Sequence, residues 1–253
     1  MSDKIPIRKM SGHSKWSTIK RQKGAEDKKR GLTFSKLSRV ISVAAKLGAD
    51  PEANFKLRLA LEEAKTANMP KETIKRAIER GSGGGEQAAF EEVTYEGYGP
   101  AGVAILAEVL TDNRNRAVAS LKNIFERSGG NLASPGSVSF QFKKSGLITI
   151  KKPQDSDQAI LSIIDLGVED VEEAKDAIEV YTKPADLERI KEELNGLGLE
   201  VLTAQIYMRP KTTVVVKEKK EAQRILRLME SLEEQEEVQR VFANFDIEEG
   251  LVS

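Results

Sequence analysis

GLITIKKPQDSDQAILSIIDLGVEDVEEAKDAIEVYTKPADLERIKEELNGLGLEVLTAQIY, residues 146 to 207, is the stretch whose pattern decides the architecture. Its apolar runs and helical spacings predict strand 147–150, helix 157–166, strand 168–172, strand 177–182, helix 185–194 and strand 200–208. That order, βαββαβ, is the ferredoxin-like arrangement.

The flanks cannot each stand alone. Downstream, a strand at 212–216, a helix at 218–232 with Ala222, Ile225, Met229 and Leu232 inward, and a strand at 238–245 are too few to close a core. Upstream, Glu91 to Gly97 and Val103 to Val109 read as neighbouring strands across Tyr98-Gly99-Pro100-Ala101-Gly102. A helix follows from Arg114 to Arg127, with Ala117, Val118, Leu121, Ile124 and Phe125 on its inner face, and then a strand from Val138 to Phe142. Joined, the two flanks complete a second α+β sandwich. The sequence therefore predicts an α+β protein with a discontinuous domain at 86–142 plus 209–248, a ferredoxin-like domain inserted at 145–208, and a basic helical domain at 1–80.

In the helical part, Leu32 to Leu47 places Phe34, Leu37, Ile41, Ala44 and Ala45 on one face, and Gly48 stops it. Asp50-Pro51 reads as N-cap and first residue of the next helix, in which Phe55 and Leu59 stack beside Leu57, Leu61 and Ala64. Pro70 opens a last helix with Ile74, Ala77 and Ile78 inward, ended by Gly81. The run Gly81-Ser82-Gly83-Gly84-Gly85 lacks the strand before it and the Gly-Lys-Ser/Thr after it that a phosphate-cradling loop requires. It reads as a flexible linker on which the basic domain pivots.

Composition narrows the function. Hydrophobic residues make up 39% and charged residues 32% of the 253, enough apolar content to fold but as small domains with much surface. With no cysteine, disulfides, thiolate chemistry and cysteine-zinc sites are excluded. No apolar run approaches the ~20 residues that cross a bilayer, and the N-terminus has no signal-peptide core. These features predict a soluble cytoplasmic protein, without membrane association, metal or cofactor.

The charge is unevenly spread. The chain is neutral, 40 basic against 40 acidic residues, yet residues 1 to 80 hold 20 basic and 9 acidic, leaving 20 and 31 for the remainder. Within Ser11 to Arg39 nine cations (Lys15, Lys20, Arg21, Lys23, Lys28, Lys29, Arg30, Lys36, Arg39) stand against Glu26 and Asp27, together with Trp16, the single tryptophan. Taken by itself such a run fits a solvated charged helix or a disordered arm as well as a polyanion contact. The segregation favours the polyanion, because the basic end turns toward phosphate while the acidic remainder stays away. The same acidic remainder is a candidate docking surface for a protein partner.

MSGHSKWSTIKRQKGAEDKKRGLTFSKLSR from Met10, NFKLRLALEEAKTANMPKETIKRAIERG from Asn54, YEGYGPAGVAI from Tyr95, TDNRNR from Thr111, GGNL from Gly129, GSVSF from Gly136 and VFANFDI from Val241 follow one another in order. Together they resemble the YebC family of bacterial and organellar proteins, over nearly the whole length from residue 10. The resemblance implies a three-domain fold and a role usually described as transcriptional regulation; the family's mitochondrial translational activators imply a role in translation. The chain departs from the family pattern in a nine-residue leader before Met10, in Lys20-Arg21-Gln22-Lys23, and in Ala133-Ser134-Pro135.

Catalytic chemistry finds little support. His13 has no Asp, Cys or second His at ligand or triad spacing, so a helix cap or phosphate contact fits it better. Glu233, Glu234, Glu236 and Glu237 read as a solvated turn after a helix. In Thr111 to Arg116, Asp112 or Asn113 can cap the following helix, and Asn113, Arg114, Asn115 and Arg116 can equally donate to phosphate. Tyr95, Tyr98 and Asn131 form a further tier, where a ring stacks on an unpaired base or is simply half-buried. Three hypotheses follow: a duplex-DNA-binding transcriptional regulator, against which stands the absence of helix-turn-helix spacing; an RNA- or ribosome-binding translation factor; and, least supported, an enzyme.

Overall fold

The structure, a computed structural model, describes residues 8–9, 26–83, 90–174, 176–248 and 251, and for residues 8–9 and 26–29 the backbone only. Its first element is a two-residue strand β1 (Arg8–Lys9). Three helices follow, α1 (Glu26–Ala45), α2 (Phe55–Thr66) and α3 (Lys71–Gly81). Leu37, Ile41, Ala44 and Ala45 of α1 meet Leu57, Ala60 and Ala64 of α2 and Ala77 of α3 in one thin core, with Phe34, Ile74 and Ile78 at its margin. Both α2 and α3 lean on α1. The α1–α3 approach is close because Gly81 has no side chain: a Cβ there would lie 2.1 Å from the Ser42 carbonyl oxygen.

The start of α2 differs from the sequence expectation. Asn54, not Asp50, is the N-cap. Its Oδ1 accepts from Leu57 N at 3.1 Å while its Nδ2 donates to the carbonyls of Ala44 at 2.8 Å and Gly48 at 2.7 Å. One buried amide thus ends α1 and starts α2, whereas the Asp50 carboxylate accepts from Glu52 N within the turn. With the helix beginning at Phe55, Leu57, Ala60 and Ala64 take the inner face. Phe55 and Leu59 are left 60% and 47% exposed, not stacked on the core.

The next layer is a sheet of four antiparallel strands, β2 (Glu91–Tyr98), β3 (Ala104–Thr111), β4 (Asn131–Ala133) and β10 (Val238–Ala243), in the order β10-β3-β2-β4. Helix α4 (Arg114–Arg127) follows β3 in the chain, and α7 (Lys219–Glu233) precedes β10. They cover one face, burying Ile105, Ala107 and Val109 against Leu121, Phe125, Ile225, Met229 and Leu232. Beside it β9 (Val214–Val216) and β11 (Phe245–Ile247) pair in parallel.

Between β4 and β9 lies the unit β5 (Phe142–Lys151), α5 (Ser156–Asp165), β6 (Asp170–Glu173), β7 (Ala177–Thr182), α6 (Leu187–Gly196) and β8 (Val201–Pro210). The order β6-β7-β5-β8 puts the unit's first and third strands in the middle, the ferredoxin-like topology. Ile148, Ile150 and Val180 face Ile160, Ile163, Ile190 and Leu194 of its helices. The fold is α+β: a helical N-terminal domain, then two α/β sandwiches of which one is inserted in the other. Their helix-free faces meet, Ala104, Leu106 and Phe242 of one sheet against Leu147, Tyr181 and Tyr207 of the other, so both surfaces of β3 are buried.

The expected strand from Val138 to Phe142 is not formed. Ser139–Gln141 is a 3-10 turn, and β5 begins at Phe142 and runs without interruption into the inserted sheet. The cause is Glu96, whose buried carboxylate accepts from the amides of Gly136, Val138 and Ser139 at 2.7, 2.6 and 2.9 Å and withdraws them from any ladder.

Candidate nucleic-acid interface

Of the basic stretch, His13, Lys15, Trp16, Lys20, Arg21 and Lys23 lie outside the described residues. Lys28 and Lys29 fall on the first turn of α1, where the backbone alone is described, and Arg30 on the same turn is exposed. Lys36 and Arg39, further along α1, are half-buried and engaged with the body of the protein. Lys36 Nζ donates to the Glu233 carbonyl at 2.7 Å, at the C-terminal end of α7 where the helix dipole is negative. Arg39 Nη2 pairs with Glu236 Oε2 at 3.0 Å.

A second contact fastens the same helix. Phe90, the first described residue after 83, is buried with the Arg39 and Arg80 guanidinium carbons 5.5 and 5.9 Å from its ring centroid. Lys46 Nζ hydrogen-bonds the Phe90 carbonyl. Arg39 Nε and Nη1 are buried here without a hydrogen-bond partner among the described residues, which makes its position one of packing as much as of ion pairing. The helical domain is therefore clasped to the body at two points, the α7 turn and Phe90, a restraint on the free pivot expected of the linker.

The segment from Thr111 to Arg116 resolves into a cap and three ion pairs. Asn113 is the N-cap of α4, its Oδ1 accepting from Arg116 N at 3.0 Å. Arg114 pairs with Glu91 at 2.5 Å. Arg116 pairs with Asp112 at 2.5 Å and with Glu237, whose Oε1 also accepts from Thr111 Oγ1 at 2.9 Å. The hydrogen bonds it donates to Glu237 and Asp112 hold the Arg116 pKa above its ordinary value. Asn115 is exposed and free to reach outward. Together Arg39, Asp112, Arg116, Ser120, Gln235, Glu236 and Glu237 line a shallow polar recess where α1, α4 and the α7 turn meet.

Tyr95 is half-buried against the α4–α7 core; burial raises its pKa, partly countered by the charge of Arg114. Tyr98 donates to the Ser137 carbonyl at 2.8 Å. Asn131 is exposed in β4, opposite Tyr98 across the ladder. Tyr95 packs on the helix-covered face of the sheet and Tyr98 on the face shared with the inserted sheet, so the three do not form one patch.

Sequence reading overlooked cations that the structure exposes on α3: Lys71 and Lys75, one turn apart on one face, and Arg76 beside them, accompanied by Glu72 and Glu79. The interleaved acids, with Lys75 and Glu79 at 4.0 Å, disguise them as an ordinary salt-bridged surface. Among the described residues no group of three or more His, Cys, Asp or Glu could hold a metal ion, and no helix is long and apolar enough to cross a membrane.

Residues 14–84 match the family described as TACO1/YebC protein N-terminal domain, and residues 90–245 that described as TACO1/YebC second and third domain. A probable transcriptional regulatory protein of Trichlorobacter lovleyi is 48% identical over 239 residues, 94% of this chain and 96% of that protein. One of Acidithiobacillus ferrooxidans is 49% identical over 239 residues, covering 94% and 95%. Among solved structures, a conserved hypothetical protein of Aquifex aeolicus is similar with a TM-score of 0.78 at 43% identity, over 90% of this chain and 94% of that one.

Proposed function

The chain belongs to the TACO1/YebC family, and from that premise we propose that it is a non-enzymatic, nucleic-acid-binding regulator of gene expression, acting in the cytoplasm on DNA as a transcriptional regulator. The observation that carries the proposal is the segregation of charge: a surplus of 11 cations in residues 1 to 80 and a matching deficit beyond, in a chain of zero net charge. Phosphate contacts come from Lys15, Lys20, Arg21, Lys23, Lys28, Lys29 and Arg30, with Trp16 beside them and the exposed cations of α3 extending the surface. Lys36 and Arg39 contribute by fixing α1 rather than by touching phosphate. The names of the relatives support the transcriptional reading.

A second reading, binding to structured RNA on the ribosome, is favoured by one feature of the helical domain. Helices α2 and α3 are joined by residues 67–70 yet pack on α1 rather than as a recognition pair, so among the described residues no helix is presented for the major groove in helix-turn-helix fashion. Sedimenting cell extract through a sucrose gradient at low and moderate salt separates the two. Travel with chromosomal DNA supports the first reading, and travel with ribosomal subunits the second.

A further inference from the structure

The turn that carries Phe140 is pinned on both sides. Before it, Glu96, 6% exposed, accepts from the amides of Gly136, Val138 and Ser139, and Tyr98 OH donates to the Ser137 carbonyl at 2.8 Å. After it, the Gln141 carbonyl accepts from Lys211 N at 2.8 Å, and Gln141 Oε1 accepts from Nδ2 of the buried Asn244 at 3.0 Å. Val138 and Phe142 are buried where the two sheets meet. Between these anchors Phe140 is 65% exposed. A lone exposed ring is an ordinary surface feature. A ring presented by a buried carboxylate, a buried amide and two apolar anchors has lost its backbone freedom before any partner arrives, which keeps the entropy cost of binding low.

The charge around this turn is unlike that of the rest of the body. Residues 81 to 253 hold 31 acids against 20 cations, yet residues 127–154 and 201–217, which include the paired strands β5 and β8, contain eight cations and no acid. Lys143, Lys151, Lys152 and Arg209 are matched by acids from elsewhere. Lys144 and Lys211, both exposed, pair with no carboxylate among the described residues, and Lys211 Nζ donates to the Phe140 carbonyl at 2.7 Å. We propose that Phe140 is a stacking platform for an unpaired nucleobase, with Lys211 beside it and Lys144 four residues along meeting the flanking phosphates. The proposal rests on the nucleic-acid reading above and narrows it. A single-stranded or looped-out base offers its face to a ring, whereas a duplex keeps its base faces stacked on one another. An apolar protein pocket would accept the ring but gives the two cations no counter-charge, which a strand's phosphates supply.

Phe140 belongs to none of the buried clusters, so Phe140→Ala leaves the fold intact. Fluorescence anisotropy of the full chain is read against one mixed sequence as single-stranded RNA, as single-stranded DNA and as duplex DNA. Phe140→Ala should lower affinity for single strands about tenfold and leave the duplex unchanged, while Phe140→Trp keeps the parent value. A single strand carrying 2-aminopurine should lose more fluorescence on the parent than on the alanine variant, the signature of a base against a ring. Loss confined to RNA names a ribonucleotide loop as the source of the base, and equal loss on both single strands names unpaired bases of either polymer. Single-strand affinity unchanged in Phe140→Ala, or lowered no more than that for duplex, overturns the proposal while the parent's own binding keeps the broader reading standing. A parent that binds no strand at all overturns both. A Phe140→Ala chain that binds like the parent but sediments as a monomer where the parent is a dimer gives the ring to a second copy, and overturns the proposal as well.

Discussion

Glu96 holds the loop from Gly136 to Ser139 with both carboxylate oxygens. Burial pushes its pKa up, but the amide hydrogen bonds from Val138, Gly136 and Ser139 together bring it below the ordinary value of 4.5. A carboxyl lowered in the folded state stabilises above its unfolded pKa and loses that contribution as pH falls through the folded one. Glu96→Gln should cost about 1–2 kcal/mol at pH 7 by urea denaturation and flatten the loss of stability between pH 5 and 3. Gly130 is a steric counterpart: a Cβ there would lie 2.2 Å from the Tyr98 carbonyl, so Gly130→Ala should lower stability by about 2 kcal/mol or more. Both residues fall in or beside motifs that resemble the family, yet neither faces solvent as a ligand group would. At this scale the sequence marked the right positions and left their roles open: Glu96 looks like any acid in an alternating strand until its three amide partners, 40 to 43 residues away, are in view.

At the scale of elements, the clasp between α1 and the α7 turn is an ion pair with one exposed partner, Glu236, and so a modest contributor. A double-mutant cycle on Arg39→Ala and Glu236→Ala should give a coupling of about 0.5–1 kcal/mol. Phe90→Ala removes the shared face for Arg39 and Arg80, and small-angle scattering should show a larger radius of gyration as the helical domain moves away from the body. An unchanged radius would mean that the polar contacts hold the domain without Phe90. The helices of this domain and the βαββαβ unit were legible because their apolar spacings repeat over ten or more residues. Strand β4 was not, being three residues long, nor was the start of α2, where a buried Asn54 outcompetes the local Asp50-Pro51 signal.

For the whole molecule, the legible feature was the polarity of charge, and the hidden one was that part of it is used internally. Lys36 and Arg39 sit in the same run as Lys28 and Lys29, and only the tertiary fold tells them apart by placing Glu233 and Glu236 beside them. Replacing Lys36 and Arg39 with alanine should therefore change the salt dependence of nucleic-acid binding by less than one unit of slope, with the effect appearing in domain docking. The measurement that tests the central claim most directly is a fluorescence-anisotropy titration of the purified chain against generic duplex DNA and structured RNA across a salt series. With four or five phosphates engaged, log affinity for duplex DNA should fall with log salt at a slope of about −4, and Lys28→Glu, Lys29→Glu and Arg30→Glu together should weaken binding to all sequences alike. Absence of binding to either polymer in dilute buffer, or a triple variant that binds as well as the parent, contradicts the account.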